Sequence, residues 1–168
     1  MLARRDLSER EKMNNAILEN LVIVITGGTS GIGKQLARDF ANQGDHVVVC
    51  SDNSQSLIQT QTGFEQAGLK VDTQECDVRS TEQIDLLVDY ILKNYGHLDI
   101  LINNAGYAVY RPFEESSVEE ALDILDVNLA GAMRCAKAFL ANMIERRSGR
   151  IVNISSIGGE TIITPNAV

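Results

Sequence analysis

The sequence is poor in several residue types that define protein classes. Among its 168 residues it contains no tryptophan, two prolines, two histidines and three cysteines. Cys50, Cys76 and Cys135 are odd in number and show no Cys-x-x-Cys spacing, which argues against a disulfide framework and against a zinc site. We therefore expect no metal centre, and we interpret the cysteines as small buried side chains.

Basic charge and long apolar runs are also scarce. The chain has 15 lysines and arginines against 23 aspartates and glutamates, so its net charge is -8. A chain this acidic repels a phosphate backbone on average, and we expect no nucleic acid partner. No apolar run reaches the roughly 20 residues of a membrane helix. Residues 1–20 form a charged extension without the apolar centre of a secretory signal. We expect a cytoplasmic protein without membrane contact.

What the chain does contain, from Leu21 to Ser155, is an alternation of short β-branched runs with longer segments of helical periodicity. This alternation predicts repeated βαβ units, and hence a parallel sheet. The predicted strands are Leu21–Ile25, Val47–Cys50, Lys70–Glu75, Leu98–Ile102 and Arg150–Ile154. Ser80 with Gln83, and Ser117 with Glu120, have the capping-box spacing that begins a helix. A long helix should follow, with Leu125, Leu129, Met133, Ala136, Leu140 and Met143 on one face.

Small or polar residues follow every predicted strand. They are TGGTSGIG at residues 26–33, Ser-Asp-Asn at 51–53, Asp-Val at 77–78, Asn-Asn-Ala-Gly at 103–106 and Ser-Ser-Ile-Gly-Gly at 155–159. Because parallel strands bring their carboxyl ends to one edge of a sheet, these segments predict a binding crevice there. His46 and His97 both precede strands, at the opposite edge, so neither is a good candidate for a general base.

The first of these segments fits two phosphate-binding chemistries. Gly28 to Lys34 matches the G-x-x-x-x-G-K part of a P-loop, but Gln35 stands where a Ser or Thr would hold magnesium. The alternative is a dinucleotide, whose pyrophosphate approaches backbone N–H groups at a helix start through a glycine-rich turn. Asp52, about 20 residues further on, could accept hydrogen bonds from the adenosine ribose. The dinucleotide is the favoured interpretation.

Five motifs together resemble the short-chain dehydrogenase/reductase family over Leu21 to Val168. They are TGGTSGIG at 26–33, DV at 77–78, NNAG at 103–106, Asn128 within LDVNLAG, and IVNISS at 151–156. The resemblance implies a Rossmann-type, doubly wound sheet in a three-layer α/β/α arrangement. About five strands, in the order 3-2-1-4-5, would be present of an expected seven. It also implies an NAD(P)(H)-dependent oxidoreductase that interconverts a small-molecule alcohol and a carbonyl by hydride transfer.

The resemblance further implies roles for single residues. Gly27, Ser30, Gly31, Ile32 and Gly33 would line the pyrophosphate, Asp77 and Val78 would bind the adenine, and Asn104, Ala105 and Gly106 would approach the cofactor ribose. Asn128 would break the long helix locally and hold a water of a proton relay. Ser156 would position the substrate carbonyl or hydroxyl. The full-length protein would be a homo-oligomer in which the long helix after Ser117 pairs with the helix expected beyond Val168.

Cofactor preference depends on the residues at the end of the second strand. Family members that prefer NADP usually place Arg or Lys there or just before Gly31, whereas this chain has Asp52 and Ser30. A carboxylate close to a 2′-phosphate is repulsive. We therefore predict that NAD is preferred, and NADP remains an alternative.

One part of the family's mechanism is missing from the sequence. The family lowers the pKa of a tyrosine in a Y-x-x-x-K motif, about 13 residues after the serine, to move the substrate proton. Counted from Ser156, that tyrosine would fall just beyond Val168. We therefore expect residues 21–168 to be an incomplete NAD(P)-binding domain that is inactive alone. The alternative is a truncated protein that binds a dinucleotide or a partner without catalysis.

Overall fold

The β-branched runs form the strands of a central sheet in the computed structural model, which describes residues 20–156. The strands are β1 (Val22–Thr26), β2 (His46–Ser51), β3 (Val71–Glu75), β4 (Ile100–Asn103) and β5 (Arg150–Asn153). The helices are α1 (Gly31–Asn42), α2 (Ser54–Gln66), α3 (Thr81–Tyr95), α4 (Val118–Leu125) and α5 (Ala132–Arg146), and a π-helical segment (Asp126–Gly131) joins the last two. The predicted charged extension, apart from Asn20, lies outside the described residues.

Neighbouring strands all pair in parallel, in the order β3-β2-β1-β4-β5. This confirms the predicted sheet and its strand order, and each predicted strand end lies within two residues of the observed one. His46 is the first residue of β2 and does not precede the strand as predicted. Its ring lies 5.5 Å from that of Tyr95, at the edge of the sheet opposite the glycine turn.

Strand side chains alternate between two apolar layers, one on each face of the sheet. Ile23, Ile25, Val47 and Val49 pack with Ala37 of α1 and Phe64 of α2. Val22, Val24 and Val48 pack on the other face with residues of α3 and α5. A strand that is buried on both faces consists almost entirely of apolar residues, so such strands could be recognised in the sequence. Cys50, Cys76 and Cys135 are buried free thiols in the second layer, as predicted.

The two predicted helix starts form, but each forms only half of a capping box. The Ser80 hydroxyl accepts a hydrogen bond from the Gln83 N–H at 3.3 Å, and the Ser117 hydroxyl accepts one from the Glu120 N–H at 3.1 Å. The return bonds are absent, because Gln83 Oε1 accepts from the Asp77 N–H at 2.8 Å and Glu120 pairs with an arginine in the preceding loop. These side chains therefore tie the helix starts to the loops at the crevice edge of the sheet.

The long helix differs from the predicted one in the face that it buries. Cys135, Phe139 and Met143 of α5 are the side chains packed into the core. Of the predicted stripe, only Met143 is buried, whereas Leu125, Leu129, Met133 and Leu140 are exposed. The periodicity was real but ambiguous, because the helix has apolar side chains on two faces and the sequence does not say which one meets the sheet.

Asp99 joins the amino ends of β1 and β4 to α5. Its carboxylate accepts hydrogen bonds from the Val22 N–H at 2.9 Å and from the Arg146 guanidinium at 3.0 Å, and it lies 3.0 Å from Nε2 of His97. The side chain is only 14% exposed. Burial by itself would raise the pKa of Asp99, but the Val22 N–H, Arg146 and His97 outweigh it and lower the pKa below 3.8.

We expect Asp99→Asn to reduce the free energy of unfolding by about 1–3 kcal/mol at pH 7, because it removes a charged acceptor from the Val22 N–H and from the Arg146 guanidinium. The native pKa of Asp99 is depressed, so its contribution is complete above the unfolded value of 3.8 and is lost as the pH falls through the native value. Urea unfolding at pH 7 and pH 3 should therefore show a smaller difference from wild type at pH 3. Asp89→Asn, at an exposed position of α3, is the control and should change stability by less than about 0.5 kcal/mol. Equal stability of wild type and Asp99→Asn at pH 7 would contradict the prediction.

Candidate functional site

A cavity of about 1150 Å³ lies at the carboxyl ends of the strands. The segments after all five strands contribute to its wall, as the sequence predicted. The predicted site residues that line it are Gly27, Ser30, Gly31, Ile32, Asp52, Val78, Asn104, Ala105, Gly106, Asn128 and Ser156. Gly33 and Asp77 do not line it. Gly33 leaves room for the side chain of Asn104, and Asp77 accepts a hydrogen bond from Arg79; Asn104 and Arg79 both line the cavity. The edge of the sheet thus brings together residues from all five motifs.

The glycine turn after β1 lines this cavity and leads into α1, while the N–H groups of Gly27 and Gly28 within it donate to the Cys50 carbonyl at 2.8 and 3.3 Å. Gly27 and Gly31 have φ angles of +63° and +50°, a left-handed conformation that glycine adopts without strain. No atom lies within 4 Å of the position that a Cβ on Gly31 would take, and Gly31 begins α1. The Ser30 side chain makes no capping hydrogen bond to this helix. The first N–H groups of α1 are therefore available to an anion in the cavity.

The side chain of Asn104 holds the glycine turn in place. Its Nδ2 donates to the carbonyl oxygens of Thr26 and Gly27 at 3.0 and 3.1 Å. The Thr26 hydroxyl in turn accepts from the N–H groups of Asn104 and Ala105, both at 3.0 Å. A Cβ on Gly33 would come within 2.4 Å of Asn104 Nδ2. This contact therefore requires a glycine at position 33, and the hydrogen bonds of the Asn104 amide hold the glycine turn in place.

Asn128 shapes the cavity wall through hydrogen bonds to the backbone of Tyr107. Its side chain forms two hydrogen bonds with the backbone of Tyr107, accepting from the N–H at 3.0 Å and donating to the carbonyl at 2.8 Å. A Cβ on Gly106 would lie 3.0 Å from Asn128 Oδ1. The amide of Asn128 thereby fixes the chain that follows β4 along the cavity wall.

The π-helical segment brings Asn128 to this position. Such segments interrupt an α-helix with one wider turn and are frequent at functional sites. Arg134 spans the segment and pairs with Asp126 at 2.6 Å. Gly131 lies so close to the loop after β3 that a Cβ on it would approach Val78 Cγ2 to 2.6 Å. The local break that the resemblance implied at Asn128 is therefore present.

Arg79 is the site residue that the sequence reasoning missed. Its guanidinium contacts three carboxylates, those of Asp77 at 2.9 Å, Asp123 at 2.8 Å and Asp52 at 3.5 Å. The hydrogen bonds that Arg79 donates to Asp77 and Asp123 raise the pKa of Arg79, and the same bonds to Asp77 lower the pKa of Asp77. A signal was present in the sequence, because Arg79 directly follows the Asp-Val pair after β3.

The segments after β4 and β5 bring hydroxyl groups to the cavity. Ser155 and Ser156, after β5, and Tyr107 and Tyr110, after β4, all lie in its wall. The Tyr107 hydroxyl donates to Asp123 at 2.7 Å, and this hydrogen bond raises the pKa of Tyr107. The residues that follow Ser156, including Gly158 and Gly159 of the predicted crevice, lie outside the described part of the chain.

The described residues show neither a membrane-spanning helix nor a metal centre. No helix within residues 20–156 is long and apolar enough to cross a membrane. Over the same range, no three His, Cys, Asp or Glu side chains gather in a way that could hold a metal ion. The cavity therefore offers backbone donors, one guanidinium, carboxylates and hydroxyls to a ligand.

Known proteins share this arrangement. The family model of the short chain dehydrogenases matches residues 21–167. The ketoacyl reductase HetN of Nostoc sp. is 38% identical over 152 residues, which are 90% of this chain and 53% of that protein. A crystal structure of an actinorhodin polyketide ketoreductase with NADPH matches with a TM-score of 0.82 and 38% identity, over 88% of this chain and 57% of that one.

A short chain dehydrogenase/reductase from Burkholderia phymatum in complex with NAD also matches, with a TM-score of 0.82 and 29% identity. That match covers 89% of this chain and 53% of the other. The chain spans about half the length of the curated relatives it matches.

We expect Gly33→Ala to destabilise the fold by about 1–3 kcal/mol, because the added methyl group would overlap Asn104 Nδ2 and the Gly27 carbonyl. Gly63→Ala is the matched control, since Gly63 is also within a helix but has no atom within 4 Å of the Cβ position. It should stabilise the protein by about 0.5–1 kcal/mol. Urea unfolding of the two variants measures both effects. Changes of the same sign in both would contradict the proposed Asn104 contact.

Proposed function

Since the chain belongs to the short-chain dehydrogenase family, we propose that the protein is an NAD(P)(H)-dependent oxidoreductase that interconverts an alcohol and a carbonyl compound by hydride transfer. The observation that carries this proposal is the open turn at Gly31, where the amino end of α1 meets the cavity. The alternative, a protein that binds a dinucleotide without catalysis, uses the same site and differs only in the chemistry that follows.

The residues around the cavity fit a nicotinamide dinucleotide along its whole length. The start of α1 offers N–H donors and the positive end of the helix dipole to a pyrophosphate. The proposed contacts are Gly27, Ser30, Gly31, Ile32 and Gly33 for the pyrophosphate, Asp52, Asp77 and Val78 for the adenosine, and Asn104, Ala105 and Gly106 for the second ribose. When bound, the nicotinamide supplies or accepts the hydride.

This chain would contribute to the reaction by positioning the substrate oxygen and the cavity wall around it. Ser156, in the cavity wall after β5, would donate a hydrogen bond to the substrate oxygen. Asn128 would hold the wall opposite it through its two hydrogen bonds to Tyr107. We further propose that the exposed π-helical backbone at Asn128 holds the water of a proton relay.

The group that moves the substrate proton is not among the described residues. Tyr107 lies in the cavity wall, but its hydroxyl already donates a hydrogen bond to Asp123. This bond raises the pKa of Tyr107, which makes the hydroxyl a weaker acid. No Tyr-x-x-x-Lys motif is present in the 168 residues. This chain alone would therefore bind and orient a dinucleotide without completing the proton transfer.

NAD is the cofactor that we propose as preferred. Asp52 is exposed at the end of β2 and lines the cavity, where its carboxylate could accept hydrogen bonds from ribose hydroxyls. A 2′-phosphate beside it would be repelled, since two like unit charges 4 Å apart cost roughly 1 kcal/mol in water and about 4 kcal/mol near a protein surface. Structures of relatives contain either NADPH or NAD, so the family does not decide the choice.

A homo-oligomer is proposed for the assembled enzyme. Leu122, Leu125, Leu129, Met133 and Leu140 form an exposed apolar face along α4, the π-helical segment and α5. Apolar patches of this extent commonly mark protein–protein contacts. A second copy of the chain would cover the face in the homo-oligomer that the resemblance implies.

We expect the protein to bind NADH more tightly than NADPH, and to lose NADH binding in Gly31→Ala. The added methyl group would take up room at the start of α1, where the pyrophosphate must approach. Titration followed by calorimetry gives the dissociation constants, and a drop of at least about tenfold in affinity is expected for the loss of one charge-assisted contact.

Gly68→Ala is the matched control for this variant. Gly68 also has a positive φ, of +71°, and also has no atom within 4 Å of its Cβ position, but it lies at the end of α2 and away from the cavity. Both variants should therefore lose similar stability, about 1 kcal/mol, and only Gly31→Ala should lose affinity. Unchanged NADH affinity in Gly31→Ala would overturn the proposed pyrophosphate site, and tighter NADPH binding by wild type would overturn the cofactor preference.

A polypeptide of these 168 residues alone is expected not to oxidise NADH in the presence of ketones, because no described group can protonate the substrate oxygen. The absorbance of NADH at its nicotinamide band follows the reaction. Calorimetric binding of NADH by the same sample confirms that the polypeptide is folded. A rate above that of buffer, and abolished by Ser156→Ala, would contradict the prediction.

A further inference from the structure

We propose that Arg79 is a receptor for a ribose 2′-phosphate that Asp52 keeps masked, so that cofactor preference is a property of the Asp52–Arg79 pair. This inference rests on the proposed function as a dinucleotide-binding protein. It goes beyond that function, because it assigns a role to a residue outside the recognised motifs and because it predicts that the effect of Asp52 depends on Arg79.

Arg79 is the one basic side chain in the wall of the cavity formed by residues 20–156. It lies in the loop after β3, next to Val78, and its guanidinium faces Asp52 at the end of β2. Both residues line the cavity at the end assigned to the adenosine. A 2′-phosphate on the adenosine ribose would therefore meet this pair of side chains first.

Two carboxylates orient the guanidinium firmly. Nε donates to Asp77 Oδ1 at 2.9 Å, Nη2 lies 2.9 Å from Asp77 Oδ2, and Nη1 donates to Asp123 Oδ1 at 2.8 Å. Planar, two-point contacts of this kind hold a guanidinium in a fixed direction. Arg79 would therefore stay in place if its contact with Asp52 were lost.

The contact with Asp52 is the loosest of the three. Nη2 and Asp52 Oδ2 are 3.5 Å apart, and the Asp52 side chain is 58% exposed, against 25% for Asp77. The three carboxylates and one guanidinium together have a charge of -2, which repels a phosphate. Asp52 thus both repels the phosphate and occupies the Nη2 donor that would bind it.

Neutralising Asp52 should therefore expose a binding group and not merely remove a repulsion. Asp52→Asn frees Arg79 Nη2 to donate to a phosphate oxygen, while Asp77 and Asp123 keep the guanidinium oriented. If Arg79 is the receptor, the gain in NADPH affinity requires it. A gain that came only from reduced repulsion would be the same with or without Arg79.

A double-mutant cycle separates these two cases. Calorimetry gives the dissociation constants for NADH and NADPH of wild type, Asp52→Asn, Arg79→Gln and the double variant. We expect the gain in NADPH affinity relative to NADH on Asp52→Asn to be about tenfold larger with Arg79 present than in the Arg79→Gln background, the effect of one charge-assisted hydrogen bond. The gain without Arg79 measures the relief of charge repulsion alone. The gain should shrink as the salt concentration rises.

Asp123→Asn is the matched charge control. It removes an equal negative charge from the same guanidinium but leaves Asp52 against Nη2. We expect it to improve NADPH binding less than Asp52→Asn does. Arg79→Lys, which keeps the charge but loses the planar contacts, should recover only part of the gain and serves if Arg79→Gln is poorly folded.

Equal NADPH gains from Asp52→Asn in the presence and absence of Arg79 would overturn this inference and leave the proposed function standing. An equal gain from Asp123→Asn would overturn it as well, since net charge would then explain the effect. Failure of wild type to bind either dinucleotide would instead overturn the proposed function, and the inference with it.

Discussion

Two hydrogen bonds from one side-chain amide, that of Asn104, set the geometry of the whole site. They reach the carbonyls of Thr26 and Gly27 and so join the end of β4 to the turn after β1. The turn must stay in this position for α1 to direct its N–H groups into the cavity, and Gly33 must lack a side chain to make room for the amide. The end of the crevice where we propose that the pyrophosphate binds thus depends on a residue from a different βαβ unit.

The cavity is divided electrostatically into two parts. The start of α1 supplies partial positive charge without any charged side chain, which suits a pyrophosphate that must bind and leave. The ends of β2 and β3 supply carboxylates around a single guanidinium, and these suit hydroxyls and an amino group better than a phosphate. This division of charge is the basis of the proposed preference for NAD.

Much of this arrangement could be predicted from the sequence, because buried parallel strands leave continuous apolar runs and each run is followed by small or polar residues. The sequence could not give contacts between side chains that are distant along the chain. Arg79 meets Asp123 across 44 residues, and Gln83 caps the Asp77 N–H where pattern reasoning expected it to cap its own helix. The face of α5 was ambiguous because apolar residues lie on two sides, and only packing selects Cys135 and Phe139 for the core.

The close approach of Gly131 to Val78 has a thermodynamic consequence. Val78 is one of the residues proposed to contact the adenosine, and Gly131 ends the π-helical segment that contains Asn128. A shift of either element changes the free energy of the other, because no space separates them to absorb it. Such linkage is reciprocal. Adenosine binding at Val78, as proposed, would therefore be linked to the position of the π-helical segment and, through Asn128, to that of Tyr107.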